Sequence, residues 1–128
     1  MLKRKLSRLG DLQLRIMKVL WQRREATVAD VLASLEAPND LAYTTIATML
    51  RKMEAKGLVA HRIDGRSFIY RARVQEEEVT RTMADHFVDR LFEGSLTEVV
   101  SHLLSTREIS KDELETLERL IAERKKGV

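Results

Sequence analysis

The feature that most limits the folds open to this chain is a helical segment followed directly by a short β-hairpin with arginines near its tip. Apolar residues recur at helical spacing from about 42 to 56, and Gly57 supplies a natural helix end. The stretches 58–63 and 67–71 are strand-like, and the Asp-Gly pair at 64–65 favours a two-residue type I′ turn. This order predicts a recognition helix followed by a wing.

Helical periodicity predicts five further helices around this unit. The first runs from about Asp11, a plausible N-cap, to Arg24, and the second opens at the capping box that begins with Thr27. A turn is expected at 38–40. Beyond the hairpin one helix stops at Gly94, and capping boxes at Ser95 and Ser110 open the last two. We therefore expect a mainly α protein with a small β-hairpin: a winged helix-turn-helix followed by three helices.

The charges divide the chain into a basic front and an acidic back. Residues 1–75 hold fifteen Lys/Arg against seven Asp/Glu, whereas residues 76–128 hold eight against thirteen. Only the front is suited to approach a polyanion. We therefore expect a DNA-binding domain at 1–75 and a C-terminal helical dimerisation domain at 76–128.

The composition also narrows the class of protein. The chain has no cysteine, which excludes disulfides and thiolate metal sites and fits a reducing compartment. No apolar run is long enough to span a membrane, and no apolar segment follows the basic N-terminus as a secretion signal would require. We expect a cytoplasmic protein without membrane insertion.

The outward face of the predicted recognition helix carries the donors that double-stranded DNA requires. Three threonine hydroxyls can reach phosphates or base edges, and an arginine can contact guanine with two hydrogen bonds. Lysine suits phosphates, a tyrosine can bind a phosphate at the helix entrance, and the wing arginines suit the backbone or the minor groove. The predicted DNA-binding residues are Tyr43, Thr44, Thr45, Thr48, Arg51, Lys52, Arg62 and Arg66.

Two other classes compete with DNA binding. An enzyme is disfavoured because no phosphate-cradling Gly-rich loop, nucleophile elbow or metalloprotease motif is present. Asp85, His86 and Asp89 place carboxylates and an imidazole near one another, but such spacing is more often plain solvated surface than a metal site. We expect no cofactor and no bound metal. A protein-interaction module built on the same scaffold remains open, although it would not need a basic face.

The C-terminal helices carry more apolar side chains than about fifty residues can bury alone, so a second copy of the chain is expected to cover them. The predicted dimerisation residues are Met83, Phe87, Leu91, Val99, Leu103, Leu114, Leu117 and Ile121.

The order and spacing of these motifs, over nearly the whole chain, resemble the penicillinase-repressor family of bacterial transcription factors (BlaI/MecI/CopY type). The resemblance rests on Leu9-Gly10-Asp11-Leu12, Ile16-Met17 with Leu20-Trp21, Ala26-Thr27-Val28 with Val31, Leu41 to Ile46 with Thr48-Met49-Leu50, Lys56-Gly57-Leu58-Val59, Gly65-Arg66 with Phe68-Ile69-Tyr70, Leu91 to Ser95, and Ser110 to Glu115.

The resemblance implies a homodimer that represses transcription from palindromic operators. Some members are inactivated by proteolysis in the dimer region, triggered by a membrane sensor protease that detects β-lactams; others release DNA on binding copper. This chain lacks the cysteine cluster of the copper-responsive branch, and His102-Leu103 stands where the other branch is cut at Asn-Phe. Antibiotic-triggered cleavage at His102-Leu103 and release by a ligand or metal, through His86, His102 or an unlocated pocket, both stay open.

Overall fold

Seven helices and one hairpin make up the part of the chain that the computed structural model describes, residues 2–35 and 42–128. The predicted turn at 38–40 lies outside these residues. In chain order the elements are α1 (Leu2–Ser7), α2 (Asp11–Arg23), α3 (Val28–Ser34), α4 (Tyr43–Ala55), β1 (Val59–Asp64), β2 (Ser67–Ala72), α5 (Glu76–Phe92), α6 (Leu96–Thr106) and α7 (Lys111–Lys126). The predicted fold class is confirmed.

Side-chain caps start the helices close to the predicted positions. At α3 the Thr27 hydroxyl accepts the Asp30 amide at 3.1 Å, and the Asp30 carboxylate accepts the Thr27 amide at 3.0 Å. Ser95 and Ser110 likewise cap α6 and α7 by accepting the amide three residues on. At α2 the predicted cap is wrong by one residue: Gly10 is the N-cap, and its amide donates to the Gln13 side chain.

Helix α1 was not foreseen from the sequence. It is only six residues long and is rich in cations, so its pattern offers little periodicity to recognise. Its position follows from Leu6, which is fully buried, and from Leu9 just after it, which is 8% exposed. Both side chains belong to the core of the N-terminal unit, so α1 is anchored to that core by one buried face.

The wing is an antiparallel hairpin whose turn lies one residue later than expected. Asp64 pairs with Ser67, which leaves Gly65 and Arg66 as the two loop residues. Gly65 has φ of 63°, whereas Arg66 is outside the left-handed region. Positive φ at the first central position alone fits a type II′ turn rather than type I′. The Asp-Gly pair therefore signals the hairpin correctly but not its turn type.

A third backbone segment extends the hairpin. Ala26 and Tyr70 exchange two backbone hydrogen bonds, of 3.0 and 2.8 Å, so the residues before α3 pair with the outer edge of β2. This pairing holds the wing against the helices. The core beneath it is apolar, and its fully buried larger side chains are Leu6, Ile16, Met17, Leu20, Val31, Ile46, Leu50, Met53, Leu58, Val59 and Val79.

The chain divides into two compact units, residues 1–86 and 87–128, with the division inside α5. The first unit holds the core just described, and Val79 and Met83 at the start of α5 pack against it. The functional boundary expected between residues 75 and 76 stays a prediction. No helix within the described ranges combines the length and apolar character needed to cross a membrane.

Candidate nucleic-acid interface

Helix α4 presents a hydroxyl-rich, cationic face to solvent. Ile46, Leu50 and Met53 fill the core at helical spacing, which forces the intervening positions outward. A shallow hollow on this outer face is lined by Thr44, Thr45, Thr48, Met49 and Lys52. Four of the predicted DNA-binding residues thus share one face.

A second group of predicted residues faces the wing instead. Tyr43 and Arg51 line a cleft of about 240 Å³ between α4 and the hairpin, together with Arg66 from the turn. The Arg51 guanidinium donates to the Thr48 hydroxyl at 3.3 Å, which links the cleft to the outer face of α4. Arg51 and Arg66, which were expected to act in different places, therefore flank one opening.

Arg62 is the predicted residue that the structure sets apart. Its Nε and Nη2 donate to the two carboxylate oxygens of Glu25, at 2.9 and 3.5 Å. The hydrogen bond from Arg62 lowers the pKa of Glu25, with burial opposing it, and the same bond raises the pKa of Arg62. A phosphate would have to compete with Glu25 for this guanidinium.

The first strand of the wing is tied to the last turn of α4 through an acidic residue. Glu54 contacts His61 Nδ1 at 2.6 and 2.9 Å. The His61 ring stacks on Phe68 across the hairpin, with ring centroids 4.1 Å apart. Behind them burial raises the pKa of Tyr70, and the nearby Glu54 charge adds to the shift. The Glu54 carboxylate therefore already has a hydrogen-bond partner within the protein.

A further cationic hollow lies beside this interface, and sequence reasoning missed it. It has a volume of about 260 Å³ and is lined by Arg4, Lys5, Arg8, Gln13, Lys56 and Leu58. The signal in the sequence was the group of four cations before Gly10, which was considered only as the start of a secretion signal and set aside because no apolar segment follows. Because α1 was not predicted, the position of those cations on the surface could not be inferred.

The second unit leaves most of the predicted dimerisation residues exposed. Val99 is buried at 8%, and Met83 is partly buried against the first unit's core. The others range from 37% exposed for Leu103 to 61% for Leu91. The candidate cleavage pair His102-Leu103 lies within α6, where both residues are exposed. Among the described residues, no cluster of three or more His, Cys, Asp or Glu is suited to hold a metal ion.

Helices α2, α3 and α4 are followed by the hairpin, and α4 presents cations and hydroxyls outward. This arrangement defines a winged-helix DNA-binding protein. The sequence profile described as "Penicillinase repressor" matches residues 9–123. The chain therefore belongs to the penicillinase repressor family of transcriptional repressors.

Individual relatives agree with this assignment. The chain is 36% identical to the transcriptional regulator BlaI of Mycobacterium tuberculosis over 125 residues, covering 96% of this chain and 89% of the relative. It is 27% identical to the penicillinase repressor of Bacillus licheniformis over 122 residues, covering 95% of each.

Solved structures share the fold. The solution structure of the DNA-binding domain of the repressor BlaI matches with a TM-score of 0.50 and 29% identity, covering 57% of this chain and 89% of that domain. A Staphylococcus aureus MepR mutant bound to an oligodeoxyribonucleotide matches with a TM-score of 0.54 over 98% of this chain and 84% of the other. Its 16% identity supports the fold alone.

Proposed function

We propose that this protein acts in the cytoplasm as a homodimeric repressor, without enzymatic activity, that binds palindromic operators and is released by proteolysis of its C-terminal region. The observation that carries the proposal is the continuity of the α4 outer face with the cleft beneath the wing. Hydroxyls and Lys52 occupy the first, and Arg51 and Arg66 flank the second. A groove-filling helix and a backbone-contacting wing need these two surfaces side by side.

Within this interface α4 reads bases and the wing holds the backbone. Thr44, Thr45 and Thr48 stand near the N-terminal half of α4, where a recognition helix enters the major groove. Arg51 follows one turn later, with its side chain long enough for a guanine edge. Arg66 and Lys52 bind phosphates, which fix position without carrying sequence information.

The dimer is supported by the apolar side chains that the second unit leaves in contact with solvent. Leu91, Leu114 and Leu117 are 61%, 38% and 37% exposed, and Leu120 and Ile121 are 55% and 58% exposed. Large apolar side chains left exposed in this number mark an interaction site. A second copy is the occupant, because a two-fold interface places two recognition helices on a two-fold DNA site.

Salt dependence tests the DNA-binding mode. We expect retention on double-stranded DNA at 50 mM salt, with a loss on the order of 10³-fold in affinity by 200 mM if a dimer contacts roughly six to ten phosphates. A flat salt response would instead favour a protein-interaction module on the same scaffold.

Release is proposed to follow cleavage at His102-Leu103, triggered by a membrane sensor protease. A cut there separates the end of α6 and all of α7 from the rest of the chain, and with them four of the eight predicted dimerisation residues. The freed DNA-binding unit loses the second half-site, and with it an effective-concentration gain that reaches about 10²–10⁴-fold. Because the bond lies inside α6, that helix must open locally before a protease can bind it.

An immunoblot of the protein in its native cells before and after β-lactam exposure tests this step. A fragment of about 100 residues, the length left by a cut after residue 102, supports cleavage. A stable full-length band alongside induced target genes would rule cleavage out and favour release by a ligand or metal instead.

A further inference from the structure

A cluster of cations lies on α1 and just after it, apart from the α4 face and the wing. Between residues 2 and 10 the chain carries four cations and no acid. Arg4, Lys5 and Arg8 are exposed and line the 260 Å³ hollow described above, and Lys56 at the end of α4 completes it. Among the described residues that line the hollow none is acidic. Four like charges converging on one hollow favour an anion there.

One hydrogen bond links the hollow to the outer face of α4. Its wall residue Gln13 donates to the Met49 sulfur at 3.5 Å, and Met49 also lines the outer face of α4 with the threonines. On the other side, Lys5 Nζ donates to the Lys56 carbonyl at 3.4 Å. These two contacts join α2 to the middle of α4 and α1 to its C-cap, so the hollow lies along the C-terminal half of α4.

The dimensions of α4 indicate which anion reaches the hollow. Its thirteen residues span about 20 Å at 1.5 Å per residue, whereas the major groove is about 12 Å wide. A recognition helix that enters with its N-terminal residues therefore leaves the groove over a sugar-phosphate backbone at its C-terminal end. Lys56 and the α1 cations stand at that end.

A helix C-terminus by itself disfavours an anion, since its free carbonyls carry partial negative charge. Here the Lys5 ammonium covers the Lys56 carbonyl, and Arg4 and Arg8 add positive charge around it. Guanidinium groups are well suited to phosphate because they can donate two parallel hydrogen bonds. The cations of this hollow thus offset the negative end of the α4 dipole and provide hydrogen-bond donors for a phosphate.

We propose that the hollow formed by α1, the start of α2 and the end of α4 binds a backbone phosphate of double-stranded DNA, outside the base pairs that α4 contacts. The inference rests on the DNA-binding function and extends its footprint. Arg4 and Arg8 bind the phosphate, while Lys5 and Lys56 hold α1 and α4 together around it.

The test compares two double variants. Arg4→Ala/Arg8→Ala is called the α1 variant. Arg124→Ala/Lys125→Ala is the α7 control, which removes the same charge from exposed positions on α7. The DNA is a duplex selected from random sequence by the wild-type protein, with ten additional base pairs on each side. Wild-type binding to it tests the DNA-binding function separately. Affinity is measured by fluorescence anisotropy from 50 to 200 mM salt.

The α1 variant is expected to lose about 0.9 from the slope of log affinity against log salt for each phosphate contact removed, so about 2 for a complex with two chains. At 100 mM salt its affinity falls on the order of tenfold. Arg4→Lys/Arg8→Lys should restore most of the slope, because it restores the charge. An α1 variant whose slope and affinity match those of the α7 control overturns the proposal.

Phosphate ethylation interference locates the contact. Wild-type protein should show interference at phosphates flanking the base pairs read by α4, and the α1 variant should lose only these. Identical patterns for the two proteins overturn the proposal. So does a result in which millimolar inorganic phosphate shifts the NMR signals of Lys5 and Gln13 without DNA while ethylation interference is unchanged, since it assigns the hollow to a free anion.

Discussion

The carboxylate of Glu54 contacts His61 Nδ1 at 2.6 Å, and this contact joins the last turn of the recognition helix to the first strand of the wing. Because the ring also stacks on Phe68, one side chain links the two elements of the candidate DNA-binding surface. The angle between helix and wing is thus held by a polar contact and an aromatic contact at a single residue.

His61→Ala is expected to destabilise the N-terminal unit by about 1–2 kcal/mol, since it removes a hydrogen bond to a charged group and an aromatic stack. Urea unfolding measures the loss. A double-mutant cycle with Glu54→Gln should give a coupling of about 0.5–1.5 kcal/mol. The matched control is His86→Ala, at an exposed position on α5. Coupling of zero between positions 54 and 61 would mean that the contact does not hold the wing.

Arg62 is expected to contribute less to DNA affinity than Arg66, because Glu25 already occupies its guanidinium. Glu25→Ala frees that side chain and should tighten binding to random-sequence DNA by more than Asp11→Ala, which removes the same charge from an exposed position on α2. Anisotropy titrations of the four single variants, including Arg62→Ala and Arg66→Ala, measure the difference. Equal losses for the two arginine variants would show that DNA displaces Glu25 at little cost.

The α3 capping box predicts a pH dependence of stability. Hydrogen bonds from the Thr27 backbone and side chain hold the pKa of Asp30 below its ordinary value of 3.8. A depressed pKa stabilises the fold above the unfolded-state value, so this contribution is present at neutral pH and is lost as pH falls below about 3.8. Asp30→Asn should flatten the acid limb of a urea-midpoint profile. An unchanged acid limb would mean that the loss of stability at low pH comes from other carboxylates such as Glu25.

Thr27→Ala removes the other half of the box and should cost about 0.5–2 kcal/mol of stability at neutral pH. Thermal or urea unfolding of the variant checks this, with Thr106→Ala as the control, since its hydroxyl bonds only within exposed α6. A loss no larger than that of the control would show that α3 does not depend on its cap.

The proposed dimer predicts that charge on the exposed apolar face dissociates it. Leu103→Asp or Leu117→Asp should give a monomer by sedimentation at micromolar concentration and should weaken operator binding, because the second half-site is lost. The N-terminal unit should keep its structure, as judged by the NMR signals of its core. Ser101→Asp and Thr116→Asp place the same charge at exposed polar positions as controls. A wild-type protein that is itself monomeric would contradict the proposed dimer.

The parts of this structure that could be predicted from sequence are those that depend on local signals. Thr27, Ser95 and Ser110 begin helices because their hydroxyls satisfy free amides, and Gly57 ends α4 with φ of 82°. Both effects depend on a few neighbouring residues. The apolar spacing of α4 likewise revealed which face would be free.

The features that escaped prediction depend on residues far apart in the chain. Glu25 meets Arg62 across 37 positions, and Lys5 meets Lys56 across 51. No local pattern reports such a pairing. The hairpin turn was displaced by one residue because strand register is decided by cross-strand packing as well as by turn chemistry. Two of these features changed the candidate site. The Glu25 contact engages Arg62, and the Lys5–Lys56 contact forms part of the hollow beside α1.

In the proposed complex, α4 reads bases while its neighbours hold the backbone. The most direct measurement compares each of Arg51→Ala, Thr48→Ala, Lys52→Ala and Arg66→Ala on a selected operator and on a scrambled duplex. Arg51→Ala and Thr48→Ala should cost about 1–3 kcal/mol on the operator and less on the scrambled duplex, whereas Lys52→Ala and Arg66→Ala should cost the same on both. Greater sequence selectivity lost at Arg66 than at Arg51 would contradict this account and assign base reading to the wing.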